Sequence, residues 1–297
     1  MPYLIGLDMG GTEIKAAAIP NKGMPVCKPL SFPSYAGRSK AEIIQHIGSI
    51  ISKLAKETGP PAAIGFSFPG PFDYDAGVSF IKGLDKYESL YGRNIAHLFR
   101  ADASVMYEVP FVSSTPMFFI NDVTAFAMGV AASGIHTEKA LCVCIGTGCG
   151  SAFLVDGKVV TDGHAGIPEN GWIYPLPFKD SNLDDHLSKR GLEKITAKAI
   201  GKPIDGKTLA TMANEQKAMD CFTQFGSNIA EGLAPILEEF NPTTLILGGQ
   251  IMKSFLHFSA PIKEACDKKK IKLHVCPNTS QLALAGLWAE AKRRGIF

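Results

Sequence analysis

Apolar positions in this chain come in short runs cut by glycine, and two periods separate them. The run Tyr3-Leu4-Ile5-Gly6-Leu7-Asp8 predicts a strand. It meets the turn Gly10-Gly11-Thr12, and Ile14 to Ile19 then predicts a second strand, closed by Pro20-Asn21-Lys22-Gly23. Strand, glycine turn and strand make a hairpin-like unit, not a strand feeding a helix. From Ser39 to Thr58 the period changes. Ile43, Ile44, Ile47, Ile50, Ile51 and Leu54 recur at helical spacing on one face. Ser39 and Glu42 stand at capping-box spacing at its start, and Gly59-Pro60-Pro61 stops it. Ala62 to Phe68 is again a strand, running into Pro69-Gly70-Pro71.

Residues 72–110 hold many aromatics and turn formers without a period, and read as irregular. Met117 to Ile120 predicts a short buried strand ending at Asn121-Asp122, with an alanine-rich helix over Val123 to Ala132. Leu141 to Ile145 is a strand before Gly146-Thr147-Gly148-Cys149-Gly150. Ser151 to Val155 and Lys158 to Thr161 form a hairpin about Asp156-Gly157. Residues 162–182 read as loop, and helices are predicted over 183–200 and 215–240. Thr244 to Leu247 is a strand before Gly248-Gly249, and a helix over 280–294 closes the chain with Lys292, Arg293 and Arg294 at its negative end. The unit at 3–20 is weakly repeated at 141–161. This predicts an α/β chain of two domains, 1–116 and 117–279, with the helix over 280–297 packing back on the first.

Composition narrows the classes. The 297 residues suffice for two cores, and 46% hydrophobic with 20% charged residues is ordinary for a globular chain. A net charge of +2 gives no reason to expect nucleic acid. No apolar run reaches membrane-spanning length, no signal peptide precedes Tyr3, and the chain is expected in the cytoplasm without a membrane partner. Seven scattered cysteines fit reduced thiols; Cys142, Cys144 and Cys149 lie on an apolar strand and its turn and read as small buried hydrophobes.

Three glycine turns follow apolar strands: Gly10-Gly11-Thr12, Gly146-Thr147-Gly148 and Gly248-Gly249. Glycine lets main-chain amides approach a phosphate, and adjacent amides pointing one way form an anion nest. A dinucleotide fold would need such glycines to open a helix, whereas strands follow Gly11 and Gly150. A Walker loop is also missing, since Gly-Lys-Ser and Gly-Lys-Thr do not occur. Phosphates held between two hairpins are the arrangement of the actin-like (ribonuclease H-like) ATPases, with an interdomain cleft. Asp8, at the end of the first strand, either holds Mg²⁺, directly or through water, or orders the turn by accepting backbone N–H groups. Asn121-Asp122 reads in isolation as a helix cap. Beside the three turns it reads as catalytic. Phosphoryl transfer to an alcohol needs a group that orients the hydroxyl and accepts its proton, and the helix N-terminus suits a carboxylate there.

These residues resemble the ROK family of sugar kinases, repressors and open reading frames in the actin-like superfamily, over nearly the whole chain. Asp8-Met9-Gly10-Gly11-Thr12 is similar to its first phosphate motif and Phe68-Pro69-Gly70-Pro71 to its sugar-side loop. Asn121-Asp122-Val123-Thr124-Ala125 is similar to its catalytic-base segment, Gly146 to Gly150 to its second phosphate loop, and Leu247-Gly248-Gly249 to its adenosine-side turn. The family's Gly-Glu-x-Gly-His stretch corresponds to Pro168-Glu169-Asn170-Gly171-Trp172. Glu169 is kept; Trp172 stands where the family has a histidine that binds sugar and often zinc. Residues 173–190 lack the family's zinc cysteines, so no zinc is expected and the chain resembles a zinc-free subgroup. His164 and His186 read as surface or loop residues; in a loop where the family offers the sugar an asparagine, Asp85 or Lys82 either takes that part or is a solvated loop charge. Trp172 stacks on a sugar ring or fills the core beneath its loop.

The resemblance implies an ATP- and Mg²⁺-dependent kinase acting on a primary hydroxyl of a hexose or hexose derivative. Asp122 is the base. Pro69, Gly70, Asn121, Glu169 and Trp172 face the sugar, and domain closure excludes water. Glucokinase- or fructokinase-like chemistry is implied, with a β-glucoside or N-acetylmannosamine as alternative acceptors; the sequence does not identify the sugar. A homodimer would follow the family's habit. A sugar-sensing regulator of the family carries a DNA-binding domain ahead of the first motif, for which a motif starting at residue 8 leaves no room. A carboxylate acceptor would call for arginine, where Glu169 and Asn121 suit a polyol.

Overall fold

The computed structural model describes residues 2–21, 29–56 and 59–297. Lys22 and Gly23 of the first turn, Cys27 and Thr58 lie outside them. In chain order the strands and helices begin with β1 (Tyr3–Met9), β2 (Glu13–Pro20), β3 (Leu30–Pro33) and α1 (Lys40–Ala55). There follow β4 (Ala63–Phe68), β5 (Phe72–Asp73), β6 (Val78–Ser79), α2 (Ile95–Ala101), α3 (Ala103–Glu108), β7 (Met117–Asn121) and α4 (Asp122–Ala132). Then come β8 (Lys139–Ile145), β9 (Cys149–Val155), β10 (Lys158–Val160), β11 (Pro177–Phe178), β12 (Ser181–Asn182), α5 (Leu183–Leu187), α6 (Lys189–Ile200), α7 (Gly206–Thr211) and α8 (Gln216–Phe240). The chain ends with β13 (Thr244–Gly248), α9 (Phe255–Lys268), β14 (Lys272–Cys276) and α10 (Thr279–Arg293).

The chain forms two compact units, 1–134 with 280–297, and 135–279. The first is built on the sheet β3-β2-β1-β4-β7, antiparallel across β3, β2 and β1 and parallel across β1, β4 and β7. The second repeats that order and polarity as β10-β9-β8-β13-β14. The duplication seen weakly in sequence is therefore a repeat of sheet topology. Its second copy opens at β8, however, and not at residue 117. β7 pairs with β4 in parallel and so completes the first sheet. Strand pairing is a long-range choice, and the apolar run at 117–120 is equally compatible with opening a sheet or closing one.

In the first unit α1 buries Ile43, Ile44, Ile47, Ile50 and Ile51, and its capping box forms as the sequence requires. Each such buried side chain is worth about 1.5–3 kcal/mol. They pack with Ile5, Leu7, Ile14, Ile64, Phe66 and Phe68 on one sheet face. The other face packs Leu4, Ile19, Phe118 and Ile120 against Ala125, Leu284, Leu287 and Ala291. There α4 and α10 touch backbone to backbone: a Cβ on Gly129 would lie 1.8 Å from the Leu282 carbonyl oxygen, and one on Gly286 1.8 Å from that of Ala125. In the second unit α8 and α9 cover the sheet through Phe222, Phe225, Leu233, Phe240 and Phe258.

The stretch 72–110, expected to be irregular, holds the hairpin β5–β6 and the helices α2 and α3. Asn94 and Asp102 cap these helices, which have 7 and 6 residues, too short for a period to show. The helix expected over 183–200 breaks at Ser188, whose backbone is extended, into α5 and α6. No described helix is long and apolar enough to cross a membrane.

Candidate active site

In the first unit β1, β4 and β7 are adjacent and parallel, with Asp8 opposite Ser67 and Phe68 opposite Asn121. Their carboxyl ends therefore share one edge of the sheet, where ligands of open α/β sheets bind. That edge carries Asp8 and the Gly10 turn after β1, Pro69-Gly70 after β4, and Asn121-Asp122 at the passage from β7 into α4. Three segments far apart in sequence are thus brought together.

The first glycine turn is fastened by its carbonyls. Gly10 N–H donates to Glu13 O (3.0 Å) and closes the turn. Tyr87 Oη donates to Gly10 O (2.8 Å), Ser34 Oγ to Gly11 O (2.6 Å), and Ser34 N–H to Thr12 O (3.0 Å). Within a trans peptide the C=O and the following N–H point opposite ways. Carbonyls tied into the protein thus turn the amides of Gly11 and Thr12 outward, as an anion nest requires. Gly10 itself is crowded: a Cβ there would lie 2.6 Å from Glu13 O.

Asn121 does the capping. Its Oδ1 accepts from Val123 N–H (2.9 Å) and Thr124 N–H (3.1 Å), and its Nδ2 donates to Tyr74 Oη (3.0 Å). Tyr74 Oη in turn donates to Phe68 O (3.0 Å), joining the end of β4 to the end of β7. A Cβ on Gly70 would lie 3.4 Å from the same hydroxyl. With the cap supplied by its neighbour, Asp122 accepts only Val123 N–H through Oδ1 (3.0 Å) among the described hydrogen bonds. No described hydrogen bond reaches its second carboxylate oxygen.

Asp8 does not order the turn with its side chain, as one reading of the sequence had it; Gly10 and Glu13 do that through the backbone. Its carboxylate accepts Ser67 Oγ–H (2.9 Å) and a hydroxyl from Ser280. Burial pushes its pKa up to about 6, the nearby Asp122 charge adds to the rise, and the two serine hydroxyls oppose it. A carboxylate at the end of β1, with the Asp122 charge near it, would suit a hard divalent cation bound through oxygen and water. Carboxylate oxygens are donors that would fit Mg²⁺, and Asp8 would be the residue to hold it. Among the described residues no group of three or more His, Cys, Asp or Glu could hold a metal.

In the second unit Gly146-Thr147-Gly148 is the bend between β8 and β9, closed by Gly146 N–H to Gly148 O (2.8 Å). Gly249 has φ 102° and lies against the end of β8, where a Cβ would meet Ile145 O at 2.1 Å. Its N–H donates to Thr279 Oγ1 (2.7 Å). Gly248-Gly249 and the second glycine loop are thus neighbours. Glu169 lies in a helical turn over 169–171 and is exposed. Ser151 on β9 fixes that segment by donating to Gly171 O (2.6 Å) and accepting from Ile173 N–H (3.0 Å). Trp172 is 44% exposed with its ring 6.0 Å from that of Tyr174, so it does not fill the core. Cys142 and Cys149 are buried, Cys144 is half-buried, and none is in a disulfide.

The sequence reading passed over Ser34, Ser67, Tyr74 and Tyr87. Tyr87, the last residue of the loop read as solvated charge, is fully buried. Each acts through one hydroxyl on a main-chain or carboxylate oxygen distant in sequence, and hydroxyl residues are too common for that to show.

The model of the ROK family matches residues 4–274. An N-acetyl-D-glucosamine kinase of Vibrio parahaemolyticus is 27% identical over 82% of this chain and 83% of that protein. A ROK family glucokinase of Streptomyces griseus, solved with glucose and AMPPNP, superposes with a TM-score of 0.74 at 16% identity, over 98% of this chain and 99% of that one. A ROK family transcriptional regulator, a homologue of the E. coli MLC protein, superposes at 0.75 and 16% identity, over 99% of this chain and 79% of the regulator. Two sheets of one topology, the glycine turns at their strand ends and a family match across 4–274 lead to one assignment: the chain belongs to the ROK family.

Proposed function

We propose that this protein is an ATP- and Mg²⁺-dependent sugar kinase acting on a primary hydroxyl of a hexose or hexose derivative. The observation that carries the reading is the shared edge of the first sheet. That edge carries both Asp122, at the passage from β7 into α4, and the turn whose Gly10, Gly11 and Thr12 carbonyls are tied into the protein. Asp122 accepts the proton of the attacking hydroxyl. Asn121 and Gly70 orient the sugar, with Pro69 shaping the loop. Glu169 supplies a carboxylate acceptor for sugar hydroxyls, and the open face of Trp172 suits the C–H face of a ring. The amides of Gly11 and Thr12 and those of Thr147 and Gly148 take phosphate oxygens, and Gly248-Gly249 the adenosine side; the sequence had also offered Gly10 and Gly146, but their N–H groups are spent in closing the two turns. Mg²⁺, held through Asp8, would neutralise charge on the phosphates. Glucose, fructose, a β-glucoside and an N-acetylated hexosamine are all retained as acceptors, and relatives named for several of these sugars support that breadth.

A coupled assay for ADP release over a panel of hexoses, amino sugars, glycosides and small acids tests the reading. Turnover of at least one neutral sugar is expected. Sugar binding without ATP turnover would make the chain a sensor like the regulator of the same fold, and would end the kinase reading.

Tyr74 gives a narrower prediction. Tyr74→Phe removes the acceptor of Asn121 Nδ2 and the donor to Phe68 O. One such hydrogen bond is worth about 1 kcal/mol, or about fivefold in affinity. The KM for sugar should rise by about that factor, with the KM for ATP near that of the wild type. An unchanged sugar KM would remove Tyr74 from the site.

A further inference from the structure

The second glycine loop is fastened by its carbonyls as the first is, but through α6. Lys189 N–H donates to Gly146 O (2.8 Å) and Arg190 Nη1 to Thr147 O (3.2 Å). By the peptide geometry used above, these bonds turn the amides of Thr147 and Gly148 outward. The amide that follows is withdrawn: Cys149 N–H donates to Asp184 Oδ1 (2.6 Å). Arg190 Nη2 in turn grips Asp184 Oδ2.

Two features of this arrangement run against local preference. Lys189 and Arg190 sit in the first turn of α6, where the helix dipole favours acids, and α6 has no side-chain N-cap. Asp184 places a carboxylate beside the loop: a Cβ on Gly148 would lie 3.1 Å from its Oδ1. An anion so close would repel phosphate. Residues that break a local rule concentrate where function requires it. Around α6 Lys189 pairs with Glu193 and Lys194 with Asp185, and Arg190 Nε also lies 3.9 Å from Asp185 Oδ1; among the described hydrogen bonds, Arg190 alone of these cations bonds the glycine loop and Asp184 together. Its guanidinium is planar and multidentate, so one side chain holds both at once in a fixed fork, where a lysine would offer a flexible point charge.

We propose that Arg190 is a positioning residue of the nucleotide site. It turns the Gly148 amide toward the polyphosphate by holding the Thr147 carbonyl, and it neutralises Asp184, which would otherwise repel that polyphosphate. The inference rests on the kinase reading and adds two residues to it that the sequence does not single out.

Calorimetric titration of the folded protein with MgATP, without sugar, tests it. Arg190→Gln should lower affinity about tenfold or more, the scale of a lost charge-assisted hydrogen bond. Arg190→Lys should fall between Gln and wild type. The double variant Arg190→Gln with Asp184→Asn should recover part of the loss, because the exposed carboxylate is gone. A merely structural role predicts that the variants lose melting temperature while the folded protein keeps its MgATP affinity. Wild-type affinity in Arg190→Gln, or a double variant no better than that single variant, overturns the inference while the kinase reading stands. A wild-type protein that binds no adenine nucleotide overturns both.

Discussion

Asp122→Asn is expected to lower turnover by about 10²–10⁴-fold, the usual consequence of removing a general base. Asparagine keeps the size of the side chain and an oxygen for Val123 N–H, which Asp122 Oδ1 now accepts at 3.0 Å. The helix cap does not depend on this residue, because Asn121 accepts from Val123 and Thr124. The fold and sugar binding should therefore survive while the proton has no acceptor. Turnover and sugar affinity, measured on one preparation, check this. A variant that loses binding and turnover together would place Asp122 in sugar recognition. Near-normal turnover would remove it from the chemistry.

Asp8→Asn should make the ligand-free chain more stable at neutral pH while abolishing activity. The Asp8 pKa lies near 6 in the folded chain, against 3.8 for an ordinary aspartate, chiefly because burial disfavours its charge. A raised folded value means that the folded chain binds the proton more tightly than the unfolded one. Folding thus carries no penalty from Asp8 below about pH 4 and loses stability as pH climbs through 3.8 to 6. The full gap is worth up to about 3 kcal/mol above that window. Asparagine is neutral throughout and can still accept from Ser67. In denaturant melts without nucleotide or divalent metal, the variant should exceed wild type at neutral pH and lose its advantage near pH 4. A constant difference across that range would show that the Asp8 charge is not strained in the fold. A carboxylate whose charge costs stability in the ligand-free chain would gain most from a cation beside it.

Much of the first unit was legible because its signals are local. The isoleucine period and the Ser39–Glu42 box specify α1 within a few turns of chain. The runs at 3–8 and 14–19 about Gly10-Gly11-Thr12 specify a hairpin, as those at 141–145 and 151–155 do about the second loop. The residues that complete each loop were not legible. Ser34 and Tyr87 reach Gly11 and Gly10 across 23 and 77 residues, and Arg190 reaches Thr147 across 43. Nothing around a serine, a tyrosine or an arginine states which distant carbonyl it will meet.

The placement of residue 117 marks the same divide. An apolar run ending in Asn-Asp announces a strand entering a capped helix, and β7 and α4 are that. Whether the strand opens a second sheet or closes the first depends on its partner, and pairing with β4 decided for the first. Periodicity, caps and turn residues act over a few ångströms of contiguous chain, so the sequence alone determined the elements and the glycine bends. Sheet order, the outward turn of the loop amides and the approach of Asp8 to Asp122 come from contacts between remote segments, and only the tertiary structure decided them.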